Sequence, residues 1–314
     1  MKRLLTGILL LCLCLSLCGC AGEAPLPDTD TLHIVATVFP AYDFARQIAG
    51  ERAEVTLLLP PGVEVHSFEP TAKDLLRIQN ASLLVCGGGE SEEWLEQLLS
   101  GQELQGECLR MLDCVNALEE EWTEGMQRED EEEDEHGPEY DEHVWTSPVN
   151  AQIICRALAD KLAQLDPEGA ENFRDNCQAY CAQLQELDAA FRKTVEDGAR
   201  RTVIFADRFP ARYFVEEYSL QYYAAFPGCA EDTEPAAGTV AFLIDKVRQE
   251  QIPAVFFIEF SNEKMADVLC EETGCRKLLF HSCHTVSARE LQEGCTYLEL
   301  MQGNLAALKE ALNG

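Results

Sequence analysis

The first half of the chain alternates short apolar runs with stretches whose apolar residues recur at helical spacing. Apolar runs bounded by turn residues predict β-strands, and three occur, at residues 33–39, 54–59 and 82–86. Helical periodicity follows each run, at residues 41–49, 71–79 and 94–99. Because strands that alternate with short helices form βαβ units, we expect a mostly parallel sheet flanked by helices.

The second half repeats this alternation without a close internal repeat of sequence. Strands are predicted at residues 201–206, 220–225, 254–258 and 276–280. Helices are predicted at residues 210–218, 238–251, 264–272 and 294–312. The two halves therefore share an architecture, and the second is also expected to form a mostly parallel sheet flanked by helices.

A long helical region lies at the midpoint of the chain. A helix is predicted to begin at Pro148 and reach residue 165, and a second, longer one spans residues 167–197 and ends at Gly198. Its Ala, Gln, Leu and Glu residues favour helix strongly. We therefore predict an α/β protein of two lobes joined by one long rigid helix. The lobes would be residues 32–166 and 199–314, with residues 167–198 as the linking helix.

The N-terminal residues have the pattern of an export signal. Lys2 and Arg3 precede an apolar run at residues 4–17, which is too short for an ordinary membrane span. The run ends in Leu-Cys-Gly-Cys, which resembles a bacterial lipobox with Cys20 as the lipidated residue. The alternative is a cysteine-rich signal peptide that is cut elsewhere. We predict a signal peptide at residues 1–19, a tether at residues 20–31, and a lipid-anchored protein on the extracytoplasmic face of the cell membrane.

Charge restricts the partners of this chain. Asp and Glu number 56 against 24 Lys and Arg, which gives a formal net charge of −32. A surface this acidic argues against nucleic acid and anionic lipid headgroups as ligands, and it favours cations or a basic partner.

The acidic residues are concentrated in one tract. Residues 119–142 contain 14 Asp or Glu residues and one basic residue, together with His136. Because like charges repel one another, this tract is predicted to be a loop. It is either a solubilising insertion or a weak cation collector, and it runs directly into His143.

Metal-ligand side chains occur at four places where a two-lobe protein would face its cleft: His66, His143, Asp207 and His281. In parallel sheets, ligands bind beyond the carboxyl ends of the strands. We therefore expect these four side chains to converge on one divalent cation. Imidazoles combined with one carboxylate suit Zn²⁺ in tetrahedral coordination, whereas more oxygen ligands would favour Mn²⁺.

These residues also have ordinary structural explanations. His66 could be a surface residue of its loop, and Asp207 could cap the next helix or pair with Arg208. Possible accessory ligands are His136, Glu259 and His284. Glu259 could instead cap the helix that follows it, and His284 could form a small local site with Cys283.

Cysteine use leaves the redox state of the thiols open. Four of the 15 cysteines lie within the first 20 residues, which leaves an odd number, eleven, in the rest of the chain. Two pairs, Cys108 with Cys114 and Cys270 with Cys275, are close in sequence. Export would permit disulfides, whereas an anaerobic habitat would keep the thiols reduced.

Three motifs carry a resemblance to a known family. They are residues 60–70 (PPGVEVHSFEP), 86–94 (CGGGESEEW) and 142–148 (EHVWTSP). The chain resembles, from residue 33 to residue 312, the metal-binding solute-binding proteins of bacterial ABC importers, of the zinc/manganese type (cluster A-I). The resemblance implies two lobes with the metal held between them, and delivery of that metal to a membrane permease.

The resemblance carries over residue by residue. It assigns His66 and His143 as the first two ligands. The family usually has His or Glu as the third ligand, where this chain offers Asp207, and Asp or Glu as the fourth, where it offers His281. The exchange keeps three nitrogens and one oxygen, so Zn²⁺ remains the expected ion.

The predicted function is that of a monomeric binding protein that captures Zn²⁺, or Mn²⁺, and hands it to an ABC transporter permease. The chain is not expected to be an enzyme, since it has no nucleophile elbow, P-loop or His-Glu-x-x-His helix. One alternative is a metal-dependent hydrolase with an open zinc position and Glu259 as general base. Another is an adhesin-like surface protein whose metal is incidental.

Overall fold

The computed structural model describes residues 31–63, 68–101, 104–127, 139–228 and 234–314. Three of the residues singled out above, Cys20, His66 and His136, lie outside the described residues. Residues 32–314 form one compact unit.

The first half builds a parallel sheet. Its strands are β1 (Leu32–Ala36), β2 (Ala53–Leu57), β3 (Leu83–Cys86) and β4 (Glu107–Arg110), in the order β2-β1-β3-β4. All four residues of β3 are buried, as expected for a central parallel strand covered on both faces. Three helices flank the sheet: α1 (Phe39–Ala49), α2 (Ala72–Gln79) and α3 (Glu93–Gly101). Helix α1 accommodates Pro40 in its first turn, where no backbone donor is needed.

Two long helices follow. Helix α4 spans Pro148–Leu165, and the side chain of Ser147 caps it by accepting from the Asn150 amide. Helix α5 spans Ala170–Asp197, and its 28 residues correspond to about 42 Å at about 1.5 Å per residue. Its buried positions recur every three or four residues, so one face of the helix packs into the core along its whole length.

The second half repeats the sheet of the first. Its strands are β5 (Thr202–Arg208), β6 (Gln221–Phe226), β7 (Ala254–Phe257) and β8 (Arg276–Leu279), all parallel in the order β6-β5-β7-β8. The helices are α6 (Arg212–Tyr218), α7 (Ala237–Gln249), α8 (Lys264–Thr273), α9 (Ala288–Glu293) and α10 (Tyr297–Asn313). The predicted fold class, two parallel sheets flanked by helices with a long helix between them, is confirmed.

The main hydrophobic core is shared by both halves. It includes Ile34 of the first sheet, Phe191 of helix α5 and Phe205 of the second sheet, all buried. The carboxylate of Asp43 joins three helices, because it accepts from the Tyr180 hydroxyl at 3.2 Å and from the Tyr297 amide at 2.9 Å. The two sheets are therefore held to the long helix by one continuous packing surface.

Two elements were not predicted from the pattern. Strand β4 has only one fully buried residue, Leu109, so its apolar signal is weak. Helix α9 is short, but Ser287 and Glu290 form a capping box at its start that the sequence does contain. Among the described helices, none combines the length and the apolar character that a membrane span would require.

Candidate metal site

The candidate site lies where the segment before α4 meets the loop after β8. Trp145 donates from Nε1 to the Ser282 carbonyl oxygen at 2.8 Å, and Phe39 donates from its backbone amide to the His284 carbonyl oxygen at 3.1 Å. The Tyr297 hydroxyl donates to the Trp145 carbonyl oxygen at 2.6 Å. These bonds fix the loop after β8 against the segment that carries His143.

Three buried side chains form the metal-ligand cluster of the site: Glu142, His143 and His284. One ligand atom from each lies within 4.8 Å of the other two. The two imidazole rings are nearly perpendicular, at 87°, with centroids 5.2 Å apart. A cation between them would be reached from two directions, as tetrahedral coordination requires.

Glu142 presents one oxygen to this cluster. Its Oε2 accepts from the Ser91 amide at 3.1 Å and from the Ser91 hydroxyl at 2.7 Å. Its Oε1 is buried, has no hydrogen-bond donor among the described residues, and lies 3.8 Å from His284 Nε2. An unpartnered buried carboxylate oxygen is costly unless a cation neutralises it, so this geometry fits a metal ligand.

His143 is oriented by Asp141. Asp141 Oδ1 accepts from the His143 amide at 2.8 Å and lies 3.3 Å from His143 Nδ1, which leaves Nε2 for the cation. Burial alone would lower the pKa of His143, but the carboxylates of Asp141 and Glu142 raise it above its ordinary value. A metal ion must therefore displace a tightly held proton from this ring.

Two glycines allow the backbone to approach the cluster closely. A Cβ at Gly89 would lie 2.2 Å from Glu142 Cβ and Oε2, and a Cβ at Gly228 would lie 3.2 Å from His143 Cε1. Neither position has space for a side chain, so both favour glycine. Their backbones therefore form part of the wall that holds Glu142 and His143 in place.

A cavity of about 180 Å³ opens beside the cluster. His143, His284, Arg208, Glu259 and Phe260 are among the residues that line it. Glu259 is engaged in hydrogen bonds, because it accepts from both the amide and the hydroxyl of Ser282. The cavity thus borders two members of the metal-ligand cluster, His143 and His284.

The structure does not bring Asp207 or His281 into the cluster. Asp207 belongs to strand β5, which continues past its predicted end at residue 206. Its Oδ1 accepts from the Arg208 amide at 2.9 Å, its Oδ2 accepts from the Ile258 amide at 3.4 Å, and burial raises the pKa of this carboxyl. Asp207 therefore ties β5 to the end of β7 and is not part of the cluster.

His281 is likewise held by the protein. Its Nδ1 accepts from the Cys283 amide at 2.9 Å, and Asn304 bonds to both its backbone amide and its carbonyl oxygen. The residue of this loop that reaches the cluster is His284, which the sequence suggested only as an accessory ligand. Asp207 and His281 are thus held outside the cluster in this structure, and His66 and His136 lie outside the described residues. The assignment of all four as ligands stays a prediction.

Glu142 is a member of the cluster that the sequence analysis does not single out. It directly precedes His143 in the most specific motif, but it also ends the acidic tract at residues 119–142. Its burial separates it from that tract: Glu142 is 2% exposed, whereas Glu121 and Glu124 on the same stretch are exposed.

The chain matches known proteins over nearly its full length. Residues 34–311 match the family model described as "Zinc-uptake complex component A periplasmic". The high-affinity zinc uptake system protein ZnuA of Bacillus subtilis is 30% identical, over 98% of this chain and 97% of that protein. The zinc-binding lipoprotein AdcA of Streptococcus pneumoniae is also 30% identical, over 99% of this chain, which spans 61% of that longer protein.

A solved structure is similar as well. The crystal structure of the Zn(II)-bound ZnuA-like domain of Streptococcus pneumoniae AdcA matches with a TM-score of 0.75 and 28% identity. The match covers 90% of this chain and all of that one. The relatives thus include proteins named for zinc binding and zinc uptake.

Proposed function

Because its residues 34–311 show that the chain belongs to the zinc-uptake complex component A family, we propose that it is a solute-binding protein that captures Zn²⁺ and delivers it to an ABC import permease. Relatives at 30% identity that are named for zinc uptake and zinc binding support this proposal.

The observation that carries the proposal is the buried Glu142 Oε1, which has no donor among the described residues and faces His284 Nε2. Two imidazoles and one carboxylate, from His143, His284 and Glu142, supply three ligands. His66 is the proposed fourth. Three nitrogens and one oxygen in a buried site favour Zn²⁺ over Mn²⁺, which prefers more oxygen ligands.

In this proposal the protein works as a binder and not as an enzyme. A hydrolase would need an open coordination position and a free general base. Four protein ligands close the coordination shell, and Glu259, the candidate base, already accepts two hydrogen bonds from Ser282. No observation in the described residues favours the adhesin alternative.

The proposed arrangement in the cell follows from export. Residues 1–19 would be removed as a signal peptide, Cys20 would carry the lipid, and residues 20–31 would tether a monomer to the extracytoplasmic face of the membrane. The lobes, residues 32–166 and 199–314, would then present the cation to the permease, with residues 167–198 as the link between them.

Elemental analysis followed by competition tests this proposal. The purified chain is expected to contain zinc, and an excess of Mn²⁺ is expected to leave that zinc in place. Stripping with a chelator and reloading should restore the zinc content. Exchange of bound zinc for manganese, or a purified protein that binds neither ion after stripping, would contradict the proposal.

A further inference from the structure

A second group of metal-ligand side chains lies in the groove between helices α4 and α5. This α4–α5 groove has a volume of about 550 Å³, and Arg156, Asp160, Arg174, Cys177 and Cys181 are among the residues that line it. It shares no lining residue with the cavity beside the metal-ligand cluster. The groove is therefore a separate place in the fold from the metal-ligand cluster, and it offers sulfur ligands instead of imidazoles.

The two thiols of this groove are spaced to hold one metal ion. Cys177 and Cys181 lie one turn apart on α5, and their sulfurs are 3.8 Å apart. Two sulfurs bound at about 2.3 Å to one tetrahedral zinc ion are themselves about 3.8 Å apart. Both thiolates could therefore bind one ion with little movement of the helix.

The same spacing disfavours a disulfide between these two residues. Residues four apart on a helix have Cβ atoms about 5–6 Å apart. A disulfide needs Cβ atoms about 3.5–4.5 Å apart, so forming one would distort α5. The Cys177 and Cys181 thiols are therefore expected to stay available for metal even in an oxidising compartment.

In two other close cysteine pairs the two residues do not both belong to one helix. Cys86 and Cys108 lie on the neighbouring strands β3 and β4, with sulfurs 3.9 Å apart, and so Cys108 faces Cys86 instead of Cys114. Cys270 and Cys275 lie on either side of the turn between α8 and β8, with sulfurs 3.8 Å apart. The helix geometry that disfavours a disulfide does not apply to either pair.

The two thiols of the groove differ in how readily they lose a proton. The hydrogen bond with Cys181 and burial raise the pKa of the Cys177 thiol, whereas the hydrogen bond with Cys177 and the charge of Arg156 lower the pKa of the Cys181 thiol to about 7. A metal ion would therefore have to displace the Cys177 proton. Asp160 lines the same groove, but its carboxylate does not join the two sulfurs in a group of ligand atoms within 4.8 Å of one another. Sulfur ligands with an oxygen or water in the remaining positions suit a thiophilic ion.

We propose that Cys177 and Cys181 form a second metal site, which takes a thiophilic divalent cation of the Zn²⁺ and Cd²⁺ class. Binding replaces two S–H bonds with two metal–sulfur bonds and releases both protons to solvent. The site goes beyond the proposed transport function and does not depend on the cluster of Glu142, His143 and His284.

Cadmium titration of the air-oxidised full chain tests the site, because cysteine pairs that can close as disulfides no longer offer thiolates under these conditions. Thiolate ligands give Cd²⁺ an ultraviolet charge-transfer absorption that imidazole and carboxylate ligands do not give. The absorption is expected to appear and saturate in the wild type, and to persist when the histidine cluster is removed by His143→Ala with His284→Ala. It is expected to lose at least half its amplitude in Cys177→Ser with Cys181→Ser.

The variant Cys270→Ser with Cys275→Ser is the matched control, since its sulfurs have the same separation but the pair can close as a disulfide on oxidation. It is expected to keep most of the absorption. An unchanged absorption in the Cys177→Ser/Cys181→Ser variant would overturn the proposal, and so would the absence of absorption in the wild type. Mass spectrometry of the air-oxidised protein that finds a Cys177–Cys181 disulfide would overturn it as well.

Discussion

Glu142 Oε1 and His284 Nε2 lie 3.8 Å apart in the interior, on segments brought together from opposite halves of the chain. The other oxygen of Glu142 is held by Ser91, and Oε1 has no donor among the described residues. A buried carboxylate in this state lowers the stability of the metal-free protein and gains most from a cation. The metal-ligand cluster therefore favours a bound cation and lowers the stability of the metal-free protein.

Replacing Glu142 with Gln removes the charge while keeping the shape. Loss of a residue that only orients a metal ligand typically weakens metal binding about 10–100-fold. We expect Glu142→Gln to raise the zinc dissociation constant by more than that, because it changes a ligand itself. We expect the metal-free variant to be as stable as the wild type or more stable, because it lacks a buried charge whose Oε1 has no donor among the described residues.

Isothermal calorimetry and thermal unfolding measure these two effects. Glu259→Gln is the matched control, because Glu259 lines the same cavity but is hydrogen-bonded to Ser282. If Glu259→Gln weakened zinc binding and Glu142→Gln did not, the assignment of the carboxylate ligand would be wrong.

Gly89→Ala tests the wall behind Glu142. The new methyl group would lie 2.2 Å from Glu142 Cβ, so the carboxylate must move away from its position beside His284. We expect zinc affinity to fall at least tenfold. Gly303→Ala is the control, since a Cβ there meets nothing within 4 Å; it should leave zinc affinity unchanged and stabilise α10 by about 0.5–1 kcal/mol. Equal zinc affinity in the two variants would show that Glu142 need not be held in this place.

Zinc capture is expected to weaken in acid because His143 must bind metal as the neutral ring. The carboxylates of Asp141 and Glu142 raise the pKa of His143, so competition by protons should begin above the ordinary value of about 6.5. Below that pKa, affinity should fall by about tenfold per pH unit for this one proton.

Asp141→Asn tests two roles of Asp141, which orients the His143 ring and raises its pKa. It should weaken zinc binding about 10–100-fold at pH 8, since the His143 ring loses its orienting partner, and should shift the onset of proton competition to lower pH. The measurement is the zinc dissociation constant from pH 5 to pH 8 in both proteins. An unchanged onset of the pH dependence would contradict this account.

A second buried carboxyl, Glu92, should make the stability of the protein depend on pH. Burial raises the pKa of Glu92 from 4.5 to about 7, even though its Oε2 accepts from the Gly88 amide at 2.8 Å. The folded state therefore binds this proton more tightly than the unfolded state, and the free energy of unfolding should fall as pH rises from about 4.5 to about 7.

Glu92→Gln removes this dependence. We expect the metal-free variant to be more stable than the wild type at pH 8 by on the order of 3 kcal/mol, and equal to it below pH of about 4.5. Urea unfolding at the two pH values provides the test. A stability difference that is the same at both pH values would show that Glu92 does not titrate as described.

The sequence singles out His143, which lies in the cluster, but it does not rank the two histidines of the loop after β8. His281 directly follows the predicted strand and therefore has the stronger signal. Cys283 adopts a left-handed backbone, with φ of 64°, and this turn accompanies the placement of His284 in the cluster. Cysteine rarely adopts this conformation, so the residue type at position 283 does not predict the turn.

Asp207 shows that hydrophobicity does not predict where a strand ends. The apolar run ended at residue 206, yet strand β5 continues to Arg208, with an irregular register against β6 between Phe205 and Arg208. Where a strand ends beside its neighbour depends on long-range pairing, which local hydrophobicity does not encode. The apolar runs themselves predicted the buried central strands well, because burial of parallel strands requires them.

The most direct test of the metal-ligand cluster is a crystal structure of the zinc-loaded protein with anomalous scattering at the zinc edge. We predict a zinc peak about 2.0–2.2 Å from a nitrogen of His143, a nitrogen of His284 and an oxygen of Glu142. An empty cluster in the zinc-loaded crystal, with zinc bound instead by Asp207 and His281, would contradict the account.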